Sequence, residues 1–117
     1  MLDFWFIHCG YCLLEMPHLD RLAKKFADRR VAVVGVDDVD SLADQKSFFE
    51  KPPFSYPTLV DEGSIIARSF KVAGGGYPVT YVLGKDGKIA YVQVGFDTKK
   101  GLQALDDKLT ELCAATR

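Results

Sequence analysis

No run of apolar residues in this 117-residue chain is long enough to cross a bilayer. No basic leader precedes the first apolar segment, so no signal peptide is visible. If the natural protein is exported, its targeting segment lies outside this chain. The abrupt start at Met1-Leu2-Asp3 leads us to expect an excised domain. Neither sign of charge dominates: 15 Lys and Arg stand against 16 Asp and Glu, for a net charge of −1. That balance gives no reason to expect nucleic acid or an anionic membrane as a partner. Cysteine is scarce, with three residues. Three do not make the disulfide framework of a small secreted scaffold. There are no repeats, no low-complexity tract and no linker, so one domain spanning residues 1–117 is expected.

What is present is a core. Hydrophobic residues make up 48% of the chain, enough for one packed interior. Leu2 to Ile7 is an apolar, aromatic-rich run and reads as a buried strand. A helical pattern follows from Gly10 to Asp28, with Met16, Leu19, Ala23 and Phe26 on one face and a kink expected at Pro17. Val31 to Val36 is a continuous apolar run that fits a strand covered on both faces. Ser41 to Glu50 reads as a helix stopped by Lys51-Pro52-Pro53. A short strand over Tyr56–Val60 and a short helix over Gly63–Phe70 come next. Gly74-Gly75-Gly76-Tyr77-Pro78 reads as a loop. Val79–Leu83 and Lys88–Val94 are strands joined by the turn Gly84-Lys85-Asp86-Gly87. A last helix runs over Thr98–Ala115, with Leu102, Leu105, Leu109 and Leu112 at helical spacing. The pattern predicts an α/β fold: a mixed sheet of four to five strands with helices on both faces.

Cys9 and Cys12 form a C-x-x-C at a strand-to-helix junction. Cys9 sits at the helix N-terminus, where unpaired backbone N–H groups and the dipole favour its thiolate. The thiolate is the species that attacks a disulfide. Cys12 lies one turn inward and can close back onto Cys9. Half of a zinc site is the bland alternative. Four ligands are needed for that, and no second C-x-x-C or His pair exists, although His8 and His18 are present. Haem attachment needs a histidine where Leu13 stands.

Asp3-Phe4-Trp5-Phe6-Ile7-His8-Cys9-Gly10-Tyr11-Cys12 resembles the active-site segment of the thioredoxin superfamily. Its continuation, Leu13-Leu14-Glu15-Met16-Pro17, is similar to the TlpA/ResA-type branch, with its C-x-x-C-x-x-E-x-P. Tyr56-Pro57-Thr58-Leu59-Val60-Asp61 and Tyr77-Pro78-Val79-Thr80-Tyr81-Val82-Leu83-Gly84-Lys85-Asp86-Gly87-Lys88-Ile89 resemble that branch as well. The resemblance implies the thioredoxin fold, with the N-terminal strands of the fuller family domain absent from this chain. It implies a monomeric thiol–disulfide oxidoreductase with no cofactor beyond the Cys9–Cys12 disulfide. Its partners would be protein thiols and disulfides and a recharging redox protein. Such proteins typically reduce disulfides outside the cytoplasm, including those of apocytochromes and copper-site proteins, and carry any membrane anchor outside the segment seen here. This chain's own residues do not exclude a cytoplasmic setting.

The resemblance also assigns residues. Pro78 matches the cis-proline that faces the active-site disulfide, against the alternative of an ordinary trans loop proline. Gly10, Tyr11, Tyr77 and Pro78 would line the substrate groove. Glu15, one turn after Cys12, would be a partly buried carboxyl with a raised pKa that takes the proton from Cys12. The alternative is a solvated glutamate favoured by the helix dipole. Asp3 matches the buried aspartate beneath the disulfide and would share that role. Two positions depart from the pattern: His8 replaces the usual tryptophan, and Tyr77 is bulkier than the usual threonine, valine or isoleucine. His8 would either stabilise the Cys9 thiolate or stand in solvent. Gly10-Tyr11 points to a less reducing couple than thioredoxin, within family potentials of roughly −270 to −120 mV. Cys113 reads as a small core hydrophobe. Two other functions share the fold. One is a copper- or metal-binding chaperone, whose cysteines usually have three residues between them, where Cys9 and Cys12 have two. The other is a peroxiredoxin-like peroxidase, whose T-x-x-C setting and supporting arginine are missing around Cys9.

Overall fold

In the computed structural model, residues 1–50, 54–72 and 76–115 are described. Lys51-Pro52-Pro53 and Gly74-Gly75 of the expected loop lie outside them. Five strands form one sheet: β1 (Leu2–Trp5), β2 (Val34–Asp37), β3 (Thr58–Val60), β4 (Val79–Leu83) and β5 (Ile89–Val94). Their order is β3-β2-β1-β4-β5. Among the described residues the α-helices are α1 (Gly10–Lys25), α2 (Leu42–Phe48), α3 (Ile65–Ser69) and α4 (Gln103–Ala115).

β1 occupies the centre, parallel to β2 and antiparallel to β4. Its alternating side chains therefore feed two interiors. On one face Phe4 packs with Val36, Ala67, Val72 and Val79, beneath α3. On the other, Trp5 packs with Cys9, Cys12 and Met16. That second face continues into a larger cluster in which α1 contributes Leu19 and Leu22, β4 contributes Val82 and α4 contributes Leu105 and Leu109. Each fully buried Leu of this set contributes about 1.5–3 kcal/mol relative to exposure.

The expected elements are all present, most with shorter ends, and β2 is shifted: it starts at Val34 in place of Val31 and ends at Asp37, one residue past Val36. β1 stops at Trp5 because the next free backbone donor, Ile7 N–H, turns to Asp40 Oδ2 at 2.8 Å instead of a sheet partner. Pro17 lies inside α1, which runs on past it to Lys25. A separate 3₁₀ turn, Ala27–Arg29, follows, and Arg30 at φ 60° ends it. α3 begins at Ile65 and not at Gly63, because Gly63 and Ser64 are both left-handed. α4 begins at Gln103 and not at Thr98. Asp97 Oδ1 accepts from the N–H groups of Lys99 and Lys100, folding that stretch into a side-chain-capped turn.

Gly35 is required by its neighbours. A Cβ there would lie 2.7 Å from Thr58 Oγ1 and 3.1 Å from Trp5 Nε1. Those two atoms hydrogen-bond to each other at 2.7 Å across the bare glycine. The contact locks Trp5, under the disulfide, to the start of β3.

Candidate active site

The end of β1 delivers the chain to the first turn of α1, and Cys9 is the residue between them. Its backbone is extended, at φ −89° and ψ 99°, and its side chain caps the helix. Cys12 N–H approaches Cys9 Sγ at 3.2 Å. Cys9 N–H donates to Phe6 carbonyl at 3.1 Å, which closes the turn that carries His8. Cys9 and Cys12 are joined by a disulfide, with S–S 2.09 Å and Cα–Cα 5.2 Å. Cys9 is less open than expected, at 8% exposure, but Cys12 is fully buried. Both cysteines are thus buried, where an exposed Cys9 was expected. Gly10 and His8 are exposed, and Tyr11 stands 59% exposed at the helix start. His8 thus takes the solvent-facing side of its two readings.

Beneath the disulfide lie two carboxyls. Glu15 and Asp3 are both at 0% exposure, so Glu15 is fully buried and the solvated alternative fails. Thr80 Oγ1 donates to Asp3 Oδ1 at 3.0 Å. Asp3 Oδ2 and both Glu15 oxygens have no hydrogen-bond partner among the described residues. Burial is the main reason both proton affinities rise. Asp3 is pushed up to about 6, and its contacts with Glu15 and Thr80 hold it back. Glu15 is pushed up to about 10, by burial first and by the neighbouring Asp3 charge second. Both carboxyls therefore hold a proton more tightly than a free carboxyl does, Glu15 the more so, and Asp3 is the readier of the two to ionise. That is an arrangement able to accept a proton from a thiol one helical turn away.

The opposite wall comes from the segment before β4. The Tyr77–Pro78 peptide bond is cis, and Pro78 is buried. Tyr77 packs its ring edge-on against Phe6, with centroids 5.3 Å apart, and touches the cluster that holds both cysteines. Its hydroxyl donates to Asp38 Oδ1 at 2.5 Å. The sites expected from sequence thus converge: Asp3, Cys9, Cys12, Glu15 and Tyr77 all surround one end of β1.

Three participants were not foreseen. Thr80 is the cross-strand partner of Asp3, and Asp38 and Asp40 fasten the loops on either side of the disulfide. The signal for the two aspartates was the run Asp37-Asp38-Val39-Asp40 directly after an apolar strand. A loop at the carboxyl end of a parallel strand sits where α/β sheets place their ligands. Asp37 in that run is itself buried and pushed up to about 6, by burial first and the Asp40 carboxyl second.

His18 packs its ring on Phe96 and pairs with Arg21 at 3.1 Å. No group of three or more His, Cys, Asp or Glu side chains able to hold a metal is found among the described residues. Cys113 is half-buried against the cluster of Leu105 and Leu109, in keeping with a packing role. No described helix is long and apolar enough to cross a membrane.

Against known proteins, the AhpC/TSA family profile matches residues 1–92. The thiol-disulfide oxidoreductase ResA of Bacillus cereus is 28% identical over 109 residues, covering 93% of this chain and 62% of that protein. The thioredoxin-like protein YneN of Bacillus subtilis is 34% identical over 106 residues, covering 88% of this chain and 60% of its own. The chain thus spans about three fifths of these curated relatives. Among solved structures, one described as thiol:disulfide interchange protein DsbE, from Chlorobium tepidum, superposes with a TM-score of 0.85. It shares 24% identity and covers 96% of this chain and 77% of its own. The exposed lipoprotein thioredoxin Etrx1 of Streptococcus pneumoniae gives a TM-score of 0.74 at 26% identity, over 92% of this chain and 82% of its own. The fold is thioredoxin-like.

Proposed function

The chain belongs to the AhpC/TSA family, and within it we propose a thiol–disulfide oxidoreductase that exchanges disulfides with protein substrates. The observation that carries this reading is the Cys9–Cys12 disulfide at the N-terminus of α1, above the buried Glu15 and Asp3. The names of the ResA relatives support it.

In the reductive direction, the Cys9 thiolate attacks one sulfur of the substrate disulfide. A Cys9–substrate bond forms, the substrate S–S bond breaks, and one substrate thiolate leaves. Cys12 then loses its proton to the Asp3–Glu15 pair. Its thiolate attacks Cys9 Sγ, the Cys9–Cys12 bond forms, and the second substrate thiolate departs. The substrate has gained the two electrons that the dithiol has lost. Gly10 and Tyr11 on one side, and Tyr77 on the other with the buried Pro78 behind it, form the docking groove. The protein works outside the cytoplasm as a reductase, apocytochrome and copper-site disulfides being its substrate class. The exposed lipoprotein among its structural relatives supports that setting.

Reduction of insulin disulfides by the dithiol form tests the reading. Cys9→Ser abolishes turnover, and Cys12→Ser accumulates a mixed disulfide through Cys9. Inertness of the unsubstituted protein toward both insulin and a small aromatic disulfide overturns it. The direction is tested by equilibration with glutathione. A potential near the thioredoxin value of roughly −270 mV supports a reductase, and one near −120 mV refutes that part.

A further inference from the structure

One short loop is fastened to both sides of the disulfide. β2 ends at Asp37, and the chain turns through Asp38-Val39-Asp40 before Ser41 caps α2. Asp40 Oδ2 accepts from the backbone N–H of Ile7 at 2.8 Å, two residues before Cys9. Asp38 Oδ1 accepts from the Tyr77 hydroxyl at 2.5 Å, one residue before Pro78. The loop is rigidly held in its turn. Asp37 Oδ1 accepts from the N–H groups of Val39 and Asp40, each at 3.0 Å. Asp61 N–H donates to the Asp37 carbonyl at 2.8 Å, and Ser64 Oγ donates to the Asp38 carbonyl at 3.3 Å.

The Tyr77 ring is thereby gripped at both ends. Phe6 meets its ring in an edge-to-face contact, and Asp38 holds its tip. Burial and the Asp38 charge push the phenol above its ordinary proton affinity, so it remains a donor throughout the physiological range. A tyrosine left free beside the groove would lose rotamer freedom when a substrate docked, which weakens docking. The Asp38 contact removes that freedom beforehand. A protein substrate that lays extended chain along the groove benefits from the fixed wall. A small disulfide that meets only Cys9 does not.

We propose that Asp38, acting through the Tyr77 hydroxyl, is a positioning residue that fixes the docking wall for protein disulfides and so sets preference for them over small disulfides. This rests on the exchange activity proposed above and adds its substrate selectivity.

The test compares insulin with 5,5′-dithiobis(2-nitrobenzoate) on the unsubstituted protein, Tyr77→Phe, Asp38→Ala, Asp38→Asn and the Tyr77→Phe/Asp38→Ala pair. Loss of one hydrogen bond corresponds to about a threefold to tenfold fall in relative kcat/KM for insulin over the small disulfide. That fall is expected for Tyr77→Phe and Asp38→Ala, carried by KM. The double variant falls no further than either single one, because one interaction has been removed. Asp38→Asn, whose amide oxygen still accepts, restores the ratio. An unchanged ratio in Tyr77→Phe, an equal fall with both substrates, or additive losses in the double variant overturns the proposal while leaving the exchange reading intact. Inertness of the unsubstituted protein with both substrates overturns the two together.

Discussion

Trp5 Nε1 donates to Thr58 Oγ1 at 2.7 Å directly across Gly35, which is bare of a side chain where the two meet. The indole that packs against both cysteines is therefore fixed by a strand two positions away in the sheet. Gly35→Ala puts a Cβ 2.7 Å from Thr58 Oγ1. The hydrogen bond or the strand spacing has to give. We expect a loss of about 1–3 kcal/mol, measured by urea unfolding of the oxidised protein. Unaltered stability would show that the sheet opens freely at this point.

The buried carboxyls make stability fall with rising pH. Glu15 is raised from 4.5 to about 10 in the folded protein, so between those values the native state binds more protons than the unfolded chain. The slope of unfolding free energy against pH is then negative, at most about 1.4 kcal/mol per pH unit for one proton. Asp3 and Asp37, raised from 3.8 to about 6, act in the same sense over that narrower window. Glu15→Gln is expected to flatten the decline between pH 6 and 9 and to be the more stable protein at pH 9. Guanidinium titrations at three pH values read this out. A parallel decline in both proteins would remove Glu15 as its source.

The same substitution separates stability from chemistry. If the Asp3–Glu15 pair receives the Cys12 proton, Glu15→Gln slows release of the mixed disulfide by about a hundredfold. Formation of that mixed disulfide, which depends on Cys9, stays close to its original rate. Stopped-flow measurement with a labelled peptide disulfide resolves the two steps. Equal rates of release would take the pair out of the reaction.

Thr80→Val replaces the hydroxyl that donates to Asp3 Oδ1 with a methyl of similar shape. The ionised form of Asp3 loses its donor, and its proton affinity rises above the value of about 6. We expect about 1–3 kcal/mol of destabilisation at pH 8 and much less at pH 4, where Asp3 is protonated in both proteins. Carbon-13 titration of the Asp3 carboxyl supplies the direct reading. An unmoved titration would show the contact to be incidental.

Much of this was legible in the sequence because it is written in local terms. The succession of strands and helices along the chain, the helical spacing of Leu102, Leu105 and Leu109, and the cysteine spacing all depend on residues close together along the chain. Glu15 was readable too, since one helical turn carries it from Cys12. The ends of elements were harder. Asp97 turning back on Lys99 and Lys100, and Ile7 leaving the sheet for Asp40, are choices between rival hydrogen-bond partners. Thr80 against Asp3 and Asp38 against Tyr77 join residues 77 and 39 positions apart. No periodicity encodes such pairs, because they arise only once the strands are aligned.

The central place of β1 has a consequence for how the chain acquires its shape. The strand that leads to the cysteines is made before both of its neighbours: it is flanked by β2, some thirty residues on, and by β4, almost eighty residues on. Closing the second of these loops is the entropically slower event, and the ribosome adds residues at about 5–20 per second. The nascent chain therefore carries its two thiols, on an unpaired strand edge with Asp3 uncovered, for several seconds before Val79–Leu83 arrives. During that interval Cys9 and Cys12 are at their most accessible to oxidants and to other chains.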